Sequence, residues 1–136
     1  MNNKGFSLKE LIIFTALLLG VVVFAVALLN GERARVRDAK RMADMAQVRY
    51  GFEILFNQKN SYADAAPGCP EEGTLVSACA LGEYLPNIAQ IEDPGKYSYK
   101  VTAVPDEENF EITFYLEKSY DSLPAGRHTL SASGIR

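Results

Sequence analysis

From residue 11 to residue 29 the chain carries no charge and no proline, and most of its side chains are aliphatic. A run of about 19 such residues makes a helix roughly 28 Å long, close to the thickness of a bilayer's hydrocarbon core. A membrane-spanning helix is therefore the first expectation. The stretch after the run, about 105 residues, is enough for one modest core. The expected organisation is one domain preceded by an N-terminal segment with a separate purpose.

The net charge of −3 hides an asymmetry. Up to Tyr50 the chain holds eight Lys/Arg and four Asp/Glu, giving +4; after Tyr50 it holds six and thirteen, giving −7. No basic patch is expected on the acidic head, which makes it a poor nucleic-acid binder, and no nucleic acid is expected as its partner. The cluster Arg33, Arg35, Arg37, Lys40 and Arg41 comes directly after the apolar run. Such a cluster reads as a solvated helix face beside a membrane surface.

Nothing stops the helix after Leu29. Asn30-Gly31 is a weak breaker pair, and a helical Gly costs only about 1 kcal/mol. Residues 32–56 are mostly helix formers with amphipathic spacing. Met45, Val48, Phe52, Leu55 and Phe56 fall on one side; Ala39, Ala43, Ala46, Tyr50 and Ile54 fall on another. The first stripe suits the chain's own core and the second, rich in Ala, a neighbouring subunit; the alternative is one broad buried face. One helix over residues 7–57 is expected, roughly 75 Å if straight.

Residues 59–96 are irregular and rich in Pro and Gly. A segment so long needs pinning, and a bond between Cys69 and Cys79 would supply it if the head lies outside the cytosol. Two free thiols are the alternative. A structural zinc site needs four ligands, and two Cys with the single His128 fall short, so no metal is expected. The period then becomes two. Tyr97, Tyr99, Val101 and Ala103 alternate with polar residues, as do Phe110, Ile112, Phe114 and Leu116 after the turn at residues 105–109. This pattern predicts an antiparallel hairpin, with residues 127–131 as a third strand and the Phe52 stripe as its cover. The fold class expected is α+β: a long N-terminal helix, membrane-spanning then amphipathic, packed on a small antiparallel sheet of about three strands.

The run Lys4-Gly5-Phe6-Ser7-Leu8-Lys9-Glu10-Leu11, set against the apolar helix, resembles the precursor signature of type IV pilins and type II secretion pseudopilins. In that family a membrane peptidase cuts after the Gly, the new N-terminal Phe is methylated, and the fifth mature residue is Glu. Those positions are Gly5, Phe6 and Glu10 here. Residues 37–44, Tyr84-Leu85-Pro86, Asp93-Pro94 and Tyr97-Ser98-Tyr99 are similar to later family segments. The resemblance implies a leader over residues 1–5, a membrane or filament-core helix over 6–30, and an amphipathic helix plus globular head over 31–136. Its implied partners are other copies of the chain, minor pilins, the prepilin peptidase, an inner-membrane assembly platform and, before assembly, the membrane. It places the precursor in the inner membrane with the head outside the cytosol, and the filament in the periplasm or outside the cell.

Glu10 is the residue that the resemblance makes most pointed. A carboxylate within a bilayer costs a few kcal/mol on insertion scales. The family's role for it is to pair with the N-terminal ammonium of an adjacent subunit, an attraction much stronger in a low-dielectric filament core than in water. A local interfacial charge neutralising Lys9 is the alternative. Two family features are missing: residues 11–29 contain no Pro, and residues 119–126 hold only Asp121, too little for a calcium site of six to eight oxygens. No cofactor is expected. Counting basic residues alone, Lys4 and Lys9 against five within residues 33–41, would put the head in the cytosol; the leader and the cysteines favour the outside. The expected function is a non-enzymatic filament subunit of a type IV pilus, with a secretion pseudopilin close behind. A monomeric membrane-anchored binding domain is the reading from another class. Nothing near His128 marks a catalytic set, so no enzyme is expected.

Overall fold

The computed structural model describes residues 7–136. Lys4, Gly5 and Phe6, and with them the processing site, lie outside the described residues. The chain divides into two units, residues 1–34 and residues 35–136. Helix α1, Leu8–Lys59, supplies the described part of the first unit and the opening of the second.

In the first unit every side chain of residues 11–29 is exposed. Among the described residues, α1 alone is long and apolar enough to cross a membrane. Asn30-Gly31 does not interrupt it, as the small helical penalty of Gly predicts. A Cβ at Gly20 or Gly31 would meet nothing, so neither glycine is required by packing within the chain. The helix ends at Asn60, whose left-handed backbone (φ 54°) lets its N–H donate to the Phe56 carbonyl at 2.7 Å, a C-terminal cap that Asn tolerates well.

The second unit has one core. Met45, Val48, Phe52 and Leu55 of α1 are fully buried in one cluster with Tyr99, Val101, Phe110, Ile112, Phe114, Leu116 and Leu130. The Phe52 and Phe110 rings stack at 3.8 Å, and Tyr62 meets both edge-on. The sheet is an antiparallel meander of β1 (Lys100–Ala103), β2 (Glu111–Leu116), β3 (Gly126–Ser131) and β4 (Gly134–Ile135), in that order. Along β2 the alternation is strict: Ile112, Phe114 and Leu116 face in; Glu111, Thr113 and Tyr115 face out. The first helical stripe is thus the core face. Of the second, Ala39, Ala43, Ala46 and Tyr50 are exposed, while Ile54 packs partly against the core. Two separate stripes hold, and the single broad face does not.

Between α1 and β1, three short 3-10 helices (Ala63–Gly68, Val76–Ala78, Ile88–Gln90) carry the chain around the core. Cys69 and Cys79 are disulfide-bonded. Gly68 lets the two arms of this loop close up, because a Cβ there would stand 1.8 Å from the Ala78 carbonyl oxygen. Gly73 and Val76, inside the loop, donate to the Val101 and Tyr99 carbonyls, and Val101 donates to that of Thr74. The loop thereby covers the free edge of β1, which would otherwise be a template for unwanted pairing.

Two expectations need correcting. Tyr97 does not point inward with Tyr99 and Val101. The chain bends at Asp93-Pro94-Gly95 and β1 starts only at Lys100, so the two-residue period does not reach back to Tyr97, which stacks on the outward Tyr115. The solvated basic face also fails for two of its members: Arg41 is fully buried and Arg37 is half-buried.

Candidate functional site

The first turn of α1 holds Glu10. Its Oε2 accepts the Ser7 N–H at 2.8 Å, and the Ser7 carbonyl accepts the Leu11 N–H at 3.1 Å. A Glu at the third helical position reaching back to the residue before the helix is half of a capping box, and its charge suits the positive end of the helix dipole. No ion pair joins Glu10 to Lys9 among the described residues. A carboxylate has about four acceptor sites, so capping one N–H leaves most of its capacity free. Glu10 is exposed and lies next to the segment from which a cut after Gly5 would create an ammonium. It can therefore cap its own helix and still receive a second donor.

A buried ion network holds the start of the second unit together. Arg41 donates to Asp93 through Nε (2.6 Å) and Nη2 (2.9 Å), and through Nη1 to Asp38 (2.7 Å) and Glu117 (2.8 Å). Arg37 grips Glu117 from the other side at 2.7 and 2.6 Å. Asp38 also accepts the N–H groups of Glu117 and Lys118, and Asp93 those of Gly95 and Tyr97. One turn on, Asp44 accepts from Lys40 at 2.6 Å and from the Tyr99 hydroxyl at 2.9 Å. Three carboxylates thus converge on one guanidinium, and every one of its three nitrogens donates to at least one of them.

The titration of these groups follows their partners. The Arg37 hydrogen bonds, then those of Arg41, hold Glu117 down to about 2 against the opposing effect of burial. Burial alone would raise Asp93, but Arg41 and the Gly95 N–H keep it below the usual carboxylate range. Burial would likewise lower Arg41, yet its bonds to Asp93, Glu117 and Asp38 raise it further. Tyr99 is pushed well up, by burial first and by its bond to Asp44 second. Arg41, Asp93 and Glu117 stay charged across ordinary pH and fix α1 to the 93–97 bend and to the end of β2.

Among the basic residues after the apolar run, Arg37, Lys40 and Arg41 are engaged with carboxylates. They are structural charges of the folded unit. Sequence reading also misses a basic patch in the head, because its members are far apart in the chain: Lys96 and Lys100 precede β2, and Arg127 lies on β3. The signal that could have revealed Arg41 is phase. Positions 38, 41, 45, 48, 52 and 55 keep alternating steps of three and four, so Asp38 and Arg41 lie in the row of the core residues. The exposed residues 36, 39, 43, 46 and 50 keep the same steps on a row about 170° away at ~100° per residue.

Among the described residues no group of three or more His, Cys, Asp or Glu side chains is placed to hold a metal ion. In comparisons with known proteins, no family model, curated protein or solved structure matches the chain.

Proposed function

We propose that the chain is a structural subunit of a type IV pilus-like filament, held in a membrane as a precursor, cut after Gly5 by a prepilin peptidase and polymerised through its N-terminal helix. One observation carries this reading: α1 runs unbroken from Leu8 to Lys59 and leaves apolar surface uncovered on both of its stretches. Residues 11–29 are exposed all round, and beyond them Val36, Ala39, Ala43, Ala46 and Tyr50 form an exposed row opposite the core. A bilayer can cover the first stretch before assembly, but the second lies in the unit that carries the polar head. Neighbouring copies packed helix against helix would cover both, and small Ala side chains allow close approach of the backbones. Glu10 then gives the stack its register, by accepting the Phe6 ammonium of the next subunit.

Electron microscopy of material sheared from cells that make the full-length chain tests the reading. Thin filaments labelled by an antibody to the head are expected, with intact mass showing a chain that begins at N-methylated Phe6. A chain found only as membrane-held monomers, or one retaining residues 1–5, would leave the anchored binding domain as the better account.

A further inference from the structure

The outer face of the sheet is not used by helix packing. Lys100 and Thr102 of β1, Tyr115 of β2 and Arg127 of β3 border it, and Tyr97 lies stacked on Tyr115 with ring centres 4.2 Å apart. Lys96, its Nζ 5.2 Å from the Tyr97 ring centre, completes a shallow groove of about 390 Å³. Among the described residues no carboxylate pairs with Lys96, Lys100 or Arg127. The groove is a positive island on a chain whose residues after Tyr50 sum to −7, from six basic and thirteen acidic.

At the far end of the β1–β2 hairpin stands the opposite charge. The Asp106 carboxylate accepts the Glu108 and Asn109 N–H groups, both at 2.8 Å, and its carbonyl accepts the Tyr62 N–H at 3.0 Å. The turn is thereby rigid, and Glu107 and Glu108 project exposed with no cation partner among the described residues.

We propose that the groove bordered by Lys96, Tyr97, Lys100, Tyr115 and Arg127 receives the acidic turn of a second copy of this chain, Glu107 and Glu108 meeting its cations. The proposal rests on the filament reading and gives it a contact between heads. Turn and groove lie at opposite ends of one hairpin, roughly 20 Å apart along the strands, so a chain does not satisfy its own groove. A contact between two unlike surfaces is heterologous: each copy offers one and accepts the other, and the series continues in one direction as an open helix unless it closes in a ring. A polyanion such as single-stranded nucleic acid fits less well. The two tyrosines already stack on each other, which removes the faces on which bases would lie, and the acidic remainder of the head repels a long anion.

The test uses the full-length chain in filament-forming cells, with three variants: Lys100→Glu/Arg127→Glu, Glu107→Lys/Glu108→Lys, and all four changes together. All four positions are exposed, so subunit levels should match the wild type. Each double reversal places like charges in the contact and should cut the ratio of filament to membrane-held subunit at least about tenfold. The fourfold variant restores opposite charges and should recover most of that ratio. Double reversals that stay within about twofold of wild type, or a fourfold variant no better than either double, would overturn the proposal and leave the filament reading standing. Absence of filaments from the wild type would remove both. Binding of a single-stranded oligonucleotide that disappears in Lys100→Glu/Arg127→Glu, with filament yield unchanged in Glu107→Lys/Glu108→Lys, would assign the groove to nucleic acid instead.

Discussion

Arg41 occupies the same row of α1 as Met45, Val48, Phe52 and Leu55, yet it is a guanidinium with no exposed surface. Burying an ion costs several kcal/mol, and only full pairing offsets this. Removing the guanidinium would leave Asp38 and Asp93 buried without their counter-charge. Arg41→Ala should therefore destabilise the unit by about 3–5 kcal/mol, lowering the thermal midpoint of the detergent-held chain by more than about 10 °C. Acid should act on the same contacts. Glu117 falls from its ordinary 4.5 to about 2 in the folded chain. A depressed carboxylate contributes stability that is complete above its unfolded value and is lost as pH falls through the folded one. Unfolding midpoints measured against pH should thus decline between about 4.5 and about 2, and this decline should be blunted in Arg41→Ala.

At the scale of elements, much is legible in the sequence and the exceptions have physical causes. The long helix, its two apolar rows, the hairpin and the third strand all come from periodicity, which burial imposes directly on sequence. β4 spans two residues, too short to show a period. Tyr97 escapes the pattern because alternation holds only where strand geometry holds, and the bend at Asp93 to Gly95 precedes it. Two of the three carboxylate partners of Arg41, Asp93 and Glu117, lie 52 and 76 residues away, a proximity that local pattern does not encode. Two elements give direct tests. Reducing the Cys69–Cys79 bond frees a loop of about 11 residues and should cost roughly 2–3 kcal/mol in denaturant unfolding; thiol labelling of the unfolded, unreduced chain should find no free thiol. Ala43→Asp adds a charge to the exposed row of α1. It should leave the thermal midpoint within about 2 °C, since exposed substitutions change stability little, while abolishing filaments in the shear assay. Unchanged filaments would mean that this row faces solvent in the assembled state.

At the scale of the whole molecule, the second unit has a buried core of its own, whereas residues 11–29 of α1 are exposed. Gly5 and Phe6 rest on the resemblance alone, whereas Glu10 has a place: it caps its own helix through Ser7 while keeping acceptor capacity for a neighbour. That geometry selects the best variant. Glu10→Leu would remove the cap and the charge together, but Gln serves the capping box as Glu does. Glu10→Gln keeps the Ser7 hydrogen bond and deletes only the charge. A neighbouring ammonium left in the filament core without its counter-charge would lose roughly 3–5 kcal/mol if fully buried. The decisive measurement is the ratio of sheared filament to membrane-held subunit for Glu10→Gln against wild type, at matched subunit levels and with cleavage after Gly5 checked by mass. The account predicts normal cleavage and a loss of filament of at least about a hundredfold. Wild-type filament yield from Glu10→Gln would contradict it, reducing Glu10 to the cap of its own helix.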